Sequence, residues 1–496
     1  MPHGHAQLGE STPQSIFYDQ GRFGRLFPTL PPFAADTQLL RDALSELGAK
    51  GGPMDADDDL SDPIALITDP AKSAGNPDNP TMTAGFTFLG QFVDHDMTFD
   101  PTSSLARQQD PEAIRNFRIP ALDLDNVYGG GPVASPHLYD AAVDGGRTTL
   151  LTEEIPGSDA VSVGNATRLD VPRNSQLTAL IGDPRNDENL VVSQFHLALL
   201  RFHNHVVADV RTELGPGYTD GEIFAEAQRV VRWHYQWLVI HEFLVRTVGG
   251  QLVDDVLHSG PKHFKWRNAP YIPVEFSVAA YRFGHSQVRP SYRANFGTSA
   301  TDTTQQFFAL IFDPAAPDPD DPDDLRGGRR AARRFIDWQT FFDFGDGRAR
   351  PNKTIDTKLS TPLFDLLGQP PGQDTSLATR NLLRNLTMKV PSGQRVAKAM
   401  NEPVLPAADL ADLEDFHLEK RTPLWFYVLR EAEVMANGER LGPVGGRIVA
   451  EVIIGLIRGD LQSYLRQEPD WTPTYGTGGS FSTVDLLRTA DVVATL

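Results

Sequence analysis

The stretch GDPRNDENLVVSQFHLALLRFHNHVV, residues 182–207, decides the fold class. From residue 190 its apolar side chains recur at helical steps, and no Pro or Gly interrupts the pattern up to 212. The next segment, 219–248, repeats the signal. Thr219 and Glu222 read as a capping box; Phe224, Ala227, Val231, Tyr235, Leu238 and Phe243 follow at steps of three to five, and Gly249 is a stop. The same spacing predicts helices over 34–48, 83–99, 332–343, 375–387, 423–437 and 445–465. In 34–48, Asp36 is the expected N-cap, Leu39, Leu40, Leu44 and Leu47 share the apolar face, and Gly48 closes the helix. Sustained strand alternation is rare and no internal repeat is present. The reading is an all-α fold with little β-structure. An irregular Pro-, Gly- and Asp-rich segment, 1–80, wraps one large domain spanning 81–496.

Composition narrows the function classes. The 496 residues carry 45 Lys plus Arg against 65 Asp plus Glu, a formal charge of −20. That balance argues against nucleic acid or an anionic membrane as partner, since both need a basic face. No apolar run reaches the roughly 18 residues of a membrane span, and MPHGHAQLGES shows no secretory leader. Cysteine is absent, which excludes disulfides, a thiolate nucleophile and thiolate metal ligation without choosing a compartment. A monomer is expected. Two acidic stretches are read as structure. MDADDDLSD (54–62) lacks the Gly and Glu of an EF-hand loop, with Leu60 and Leu66 in those places, and is expected to be a solvated turn. PDPDDPDDLRGGRRAARR (317–334) is expected to be an exposed loop running into a helix N-terminus.

Three segments carry residues suited to chemistry. In TAGFTFLGQFVDHDMTF (83–99), Gln91 and His95 lie four apart on one helix face with Asp94 beside them, while Asp96 is turned away by about 100°. In EFSVAAYRFGHSQVRP (275–290), an apolar helix face ends at Gly284 and His285, where a flat ligand could approach the backbone closely. His196, His203, His205, His234 and His241 sit on the long helices. They read as packed histidines, and HEFLV (241–245) lacks the second His of a zinc-protease helix.

Taken with GDPRNDEN…LLRFHN and SLATRNLLRNL (376–386), these segments resemble the peroxidase–cyclooxygenase superfamily, the animal-type haem peroxidases, in their bacterial branch. The likeness runs from about residue 15 to the C-terminus and includes LDLDNVYG (122–129) and TPLWFYVLREAE (422–433). It implies haem b, with His285 as proximal iron ligand, Asn381 accepting the proton of its other ring nitrogen, and Arg282 and Arg384 among the haem-binding residues. It implies His95 as distal acid–base, Arg185 as the guanidinium that stabilises developing charge, and Gln91 as the group orienting a distal water or halide. Asp94 and Glu188 match the positions that form ester bonds to haem methyls. Asn189 stands where myeloperoxidase has a Met, which removes the sulfonium link and argues against oxidation as demanding as that of chloride. A calcium site is implied at Asp96, Asp123 and Asp125 with the Ala121 and Ile119 carbonyls; Asp125 replaces a Ser and Ile119 a Thr.

The expected reaction is reduction of hydrogen peroxide through an oxyferryl intermediate, followed by oxidation of a small donor: halide, thiocyanate or a phenol. The rival within the superfamily is a fatty-acid dioxygenase or cyclooxygenase-like enzyme. Its radical tyrosine lies three residues before the proximal His, where this chain has Arg282; Tyr281 is four before it. Two further alternatives are a haem-binding protein that has lost catalysis and a mononuclear metal enzyme on His196 and His203. Retention of both His95 and Arg185 argues against the first.

Overall fold

Nine helices of eight residues or more run through the computed structural model, which describes residues 21–100, 114, 116–266, 270–315, 318, 322–328, 330–367, 369 and 372–496. They are α1 Gln38–Leu47, α2 Gly85–Met97, α3 Leu190–Leu214, α4 Asp220–Leu238, α5 Gly250–Ser259, α6 Leu377–Thr387, α7 Gly393–Met400, α8 Leu424–Ala436 and α9 Pro443–Gly459. The described strands are short and pair only two by two: Phe23–Gly24 with Ile272–Pro273, Asp78–Thr83 with Pro351–Lys353, Glu153–Glu154 with Leu169–Asp170, and Ser291–Asn295 with Phe307–Leu310. The fold is therefore mainly helical, as the spacing predicts.

α3 begins where Asn189 accepts the Val192 N–H at 3.0 Å and ends at Gly215, whose φ of 78° leaves the helical region. α4 starts on the Thr219–Glu222 capping box and packs against α3. The predicted helix 219–248 is not continuous. A π-helical turn, Val239–Leu244, interrupts it before Val245–Val248, and Gly249 at φ 90° stops it. α2 crosses α3, and Phe92 meets the Phe195 ring edge-on at 5.3 Å. On the other side α8 and α9 pack on a 3-10 turn, Ala280–His285, and the buried Trp425 indole donates to the Arg282 carbonyl at 3.1 Å.

Six expectations change. Thr37, not Asp36, caps α1: its hydroxyl accepts from Leu40 N, while Asp36 pairs with Arg41. Leu39 is 81% exposed, and only Leu40, Leu44 and Leu47 face inward. No helix forms over 332–343, where a 3-10 turn, Trp338–Thr340, is the only regular element. Phe335, Ile336, Trp338, Phe341 and Phe342 are all buried, so the segment is enclosed on every side and its apolar spacing does not report one face. The expected loop-to-helix transition of 317–334 fails with it; residues 317, 319–321 and 329 lie outside the described residues. In 54–62 the outer acids are exposed, but Asp55 is buried. It accepts from Gly51 N, Asp57 N and Thr361 Oγ1, latching this turn to the start of the 3-10 turn Thr361–Phe364. The apolar helix expected from 275 to His285 resolves into two short pieces, Val274–Ser277 and Ala280–His285.

Residues 25–27 lie against the elements that lead to His285 and follow it. Leu26 N and Phe27 N donate to the buried Glu275 carboxylate, and Arg25 donates to the Lys389 and Met388 carbonyls. The part of the family resemblance at 15–20 lies outside the described residues. No helix among the described residues is long and apolar enough to cross a membrane.

Candidate active site

α2 carries His95 into the interior, where the side chain is almost fully buried. Its Nδ1 lies 2.9 Å from Asn186 Oδ1, and Asn186 Nδ2 lies 3.0 Å from His196 Nδ1. His95 Nε2 faces the other way, 3.6 Å from Glu188 Oε1. Burial, and then the Arg185 guanidinium, hold the His95 pKa below the ordinary histidine value, so the ring is neutral. Gln91, one turn earlier, donates through Nε2 to Glu188 Oε1 and accepts from Asn189 Nδ2 at 3.2 Å. Asn189 thus serves twice, as N-cap of α3 and as the group that orients Gln91. Asp94 is half-buried and accepts from Thr98 Oγ1 at 3.1 Å.

Arg185 sits in the 3-10 turn Pro184–Asp187 that precedes α3. Its Nη2 donates to the His95 carbonyl at 3.0 Å, to the Thr98 carbonyl and to Asp183 Oδ2 at 2.7 Å; its Nε donates to Asp183 Oδ1 at 3.2 Å. None of these bonds uses Nη1. The guanidinium also lies 4.6 Å from the Phe99 ring centre. Arg185 is therefore clamped against the end of the helix that bears His95.

His285 closes the Ala280–His285 turn. Its Nδ1 is 2.7 Å from Asn381 Nδ2 on α6, and its Nε2 makes no hydrogen bond among the described residues. Burial, and then Arg282, push its pKa down to about 3, leaving a neutral imidazole. The amide is placed with nitrogen toward the ring, the reverse of the expected Asn381 oxygen. A half-turn of that amide presents the oxygen to an Nδ1–H, the form required when Nε2 holds a metal. Arg282 donates to the Ser277 carbonyl, and Arg384 is lowered to about 10 by burial and by Arg282. Arg282 thus lies near the His285 ring and Arg384 near Arg282, two guanidiniums that can pair with carboxylates.

At the end of α2, Asp96 is fully buried beside the half-buried Asp123 and the buried Asp125. One carboxylate oxygen from each lies within 4.8 Å of the others, and these three make the metal-capable group among the described residues. Asp96 Oδ2 accepts from Leu124 N at 3.3 Å, while Oδ1 has no hydrogen-bond partner among the described residues. Leu122 and Leu124 have φ of 50° and 63°. Two leucines in the left-handed region on either side of Asp123 are costly unless the loop is held for a purpose. The Ile119 carbonyl accepts from Ala121 N at 2.9 Å. Burial, then Asp125 and Asp123, raise the Asp96 pKa well above the carboxylate range, a penalty that a cation among them removes.

Three residues escape the sequence reading, and a fourth, His196, reads there as a packed histidine or a metal ligand with His203 and not as part of this site. Arg118, fully buried, donates to Asp125 at 3.2 Å and to Asp183, so it ties the acid cluster to the carboxylate that clamps Arg185. Asp183, Asn186 and His196 complete the set. A single Arg one residue before Ile119, and an Asp-Pro pair before Arg185, are the available signals. Two other histidines are held by structural contacts: His203 is bonded to the Tyr128 hydroxyl and the Thr148 carbonyl, and His241 to the Tyr464 hydroxyl. His196 and His203 do not form a metal site among the described residues.

Residues 106–317 match the family model for the animal haem peroxidases. A chorion peroxidase of Drosophila melanogaster is 26% identical over 361 residues, which is 69% of this chain and 41% of that protein. A dual oxidase of Caenorhabditis elegans is 35% identical over 112 residues, 23% of this chain and 7% of that protein. The chain thus spans less than half the length of these relatives. Among solved structures, peroxidase A of Dictyostelium discoideum superposes with a TM-score of 0.59 at 17% identity, covering 92% of this chain and 98% of that one. A fatty acid alpha-dioxygenase of Oryza sativa gives 0.52 at 14% identity over 82% and 77%.

Proposed function

We propose that the chain is a member of the peroxidase–cyclooxygenase superfamily of animal-type haem peroxidases, and that it reduces hydrogen peroxide and then oxidises a small donor. The observation that carries this reading is the state of His95: neutral, buried, with Nδ1 committed to Asn186 and Nε2 left to exchange a proton. A base so arranged takes the proton from the near oxygen of peroxide and returns it to the far oxygen, which leaves as water. Gln91 and Glu188 stand in front of Nε2 and orient what binds there. Arg185, held by Asp183 and two backbone carbonyls, offsets the negative charge that gathers on the departing oxygen.

His285 Nε2 would hold the haem iron, with Asn381 fixing the ring and Arg282 and Arg384 reaching the porphyrin carboxylates. When bound, haem supplies the electrons for cleavage of the O–O bond. Asp94 and Glu188 are the carboxylates proposed to form esters to it. Calcium is proposed at Asp96, Asp123 and Asp125 with the Ala121 and Ile119 carbonyls. The unpartnered Asp96 Oδ1 and the two left-handed leucines support that assignment. Bound there, the ion would pin the end of α2 one residue from His95.

A dioxygenase needs a radical-forming tyrosine. Tyr281, the candidate, spends its hydroxyl on the Gly90 carbonyl at 3.1 Å, with its ring stacked on Phe276. The two readings separate in one experiment. Haem-loaded protein is given peroxide with halide, thiocyanate or a phenol, and in parallel oxygen with a fatty acid. Peroxide-dependent donor oxidation is expected; oxygen uptake on the fatty acid without it would replace this reading with the dioxygenase.

A further inference from the structure

The environment of His95 contains a second imidazole that the reaction does not touch. Asn186 lies between the two rings, fully buried, with Oδ1 toward His95 Nδ1 at 2.9 Å and Nδ2 toward His196 Nδ1 at 3.0 Å. An amide has one accepting and one donating end. Of two neutral imidazoles that both point Nδ1 at it, one must carry the proton on that nitrogen and the other must not. His196 has no other polar anchor: its Nε2 is buried without a hydrogen-bond partner among the described residues.

We infer that Asn186 and His196 are positioning residues that couple the tautomers of the two imidazoles, holding the proton of His95 on Nδ1 and that of His196 on Nε2. The inference rests on the peroxidase reading for its consequence, because only the Nδ1–H form of His95 presents a bare Nε2 to peroxide. The coupling itself follows from the two distances. Burial holds His196 neutral, with a pKa pushed down to about 3, so it does not escape by taking a second proton. Turning the amide would interchange both tautomers together. His95 Nε2 would then carry a proton toward Glu188 and lose its use as a base.

The test is histidine-selective 15N NMR on the purified full-length protein, in its ferrous carbon monoxide form if it contains haem. In the wild type, His95 should show a protonated Nδ1 and a bare Nε2, and His196 the opposite pair. The same tautomer on both rings, or a protonated Nε2 on His95, overturns the inference without any variant. Asn186→Leu removes both ends of the amide and should free the two tautomers from each other. It should also slow the reaction with peroxide by ~10–100-fold, the range known for partners that orient metal-bound imidazoles and applied here to a catalytic one, at unchanged KM for the donor. His196→Leu should mix the His95 tautomers, and His196→Gln, which again offers an acceptor to Asn186 Nδ2, should restore the wild-type one. A variant that slows peroxide while both tautomers stay as in the wild type would show that these residues only pack. If the tautomers are as stated but peroxide does not react, the peroxidase reading fails and the coupling stands.

Discussion

Replacing Asp183 by Asn should loosen the active site and the fold together. The Asp183 carboxylate accepts five N–H bonds. Oδ1 takes the Arg185 backbone N–H and Nε; Oδ2 takes Arg118 Nε and Nη2 and Arg185 Nη2. Burial pushes its pKa up, but the Arg185 and Arg118 guanidiniums outweigh that and hold it below the ordinary carboxylate range. In Asp183→Asn one end of the side chain becomes a donor, so it meets two or three N–H groups it cannot accept. At about 1.5–3 kcal/mol for each charged hydrogen bond, two losses cost roughly 3–6 kcal/mol, consistent with the roughly 3–5 kcal/mol for breaking a buried ion pair. For 496 residues the unfolding entropy is about 1 kcal/mol per degree, so the melting temperature should fall by about 3–6 °C. The depressed pKa sets the sign of the pH dependence. The stability from ionised Asp183 is present above the unfolded pKa near 4 and fades as pH falls toward the lower folded value. The gap between wild type and variant should therefore be full at pH 7 and narrow in acid. The Arg185 guanidinium would lose one of its two bonds to this side chain while keeping its two carbonyl anchors, and the reaction with peroxide should slow by ~10–100-fold. Differential scanning calorimetry and stopped-flow mixing read both effects. A melting point within a degree of wild type with an unchanged peroxide rate would refute the clamp.

Other outcomes follow from the same geometry. His285→Ala should lose haem, while His203→Ala, whose ring is bonded to Tyr128 and Thr148, should keep it; absorption at the Soret band decides, and the reverse result would reassign the proximal ligand. Exhaustive chelation should lower the melting temperature and disturb the haem spectrum, with calcium restoring both in wild type and not in Asp96→Ala; elemental analysis finding no calcium in protein never exposed to chelator would count against the site. Brief peroxide treatment should raise the fraction of haem that resists acid extraction, as a haem methyl is oxidised by two electrons and a carboxylate oxygen bonds to its carbon. Asp94→Val and Glu188→Gln should each remove one such link, and mass spectrometry of the haem peptides identifies which; full extractability after treatment would mean that neither acid forms an ester.

Local signals were legible and long-range ones were not. The capping box of α4, the stop at Gly249 and the shared face of Gln91 and His95 follow from spacing alone, because a helix repeats its neighbours every few residues. The same logic failed at 332–343, where burial on all sides erases the face it depends on. It also misplaced the cap of α1 by one residue, since Asp36 and Thr37 are both good caps and only the pairing of Asp36 with Arg41 tells them apart. Arg118, Asp183 and Asn186 act across 65 or more residues: Arg118 on Asp183, and Asn186 on His95. A buried polar contact of that separation leaves no period in the chain. His196 reads as a packed core histidine, and it is one. Its bond to Asn186 is what gives it a part in the site.

The central claim is that His95 moves the proton of peroxide beside a haem held by His285. Stopped-flow mixing of haem-loaded wild type and His95→Ala with peroxide tests it most directly, with the Soret band as the signal. The account predicts that His95→Ala keeps its haem yet reacts ~10²–10⁴-fold more slowly, the range ascribed to general acid–base catalysis. A His95→Ala protein that binds haem and reacts at the wild-type rate would contradict it.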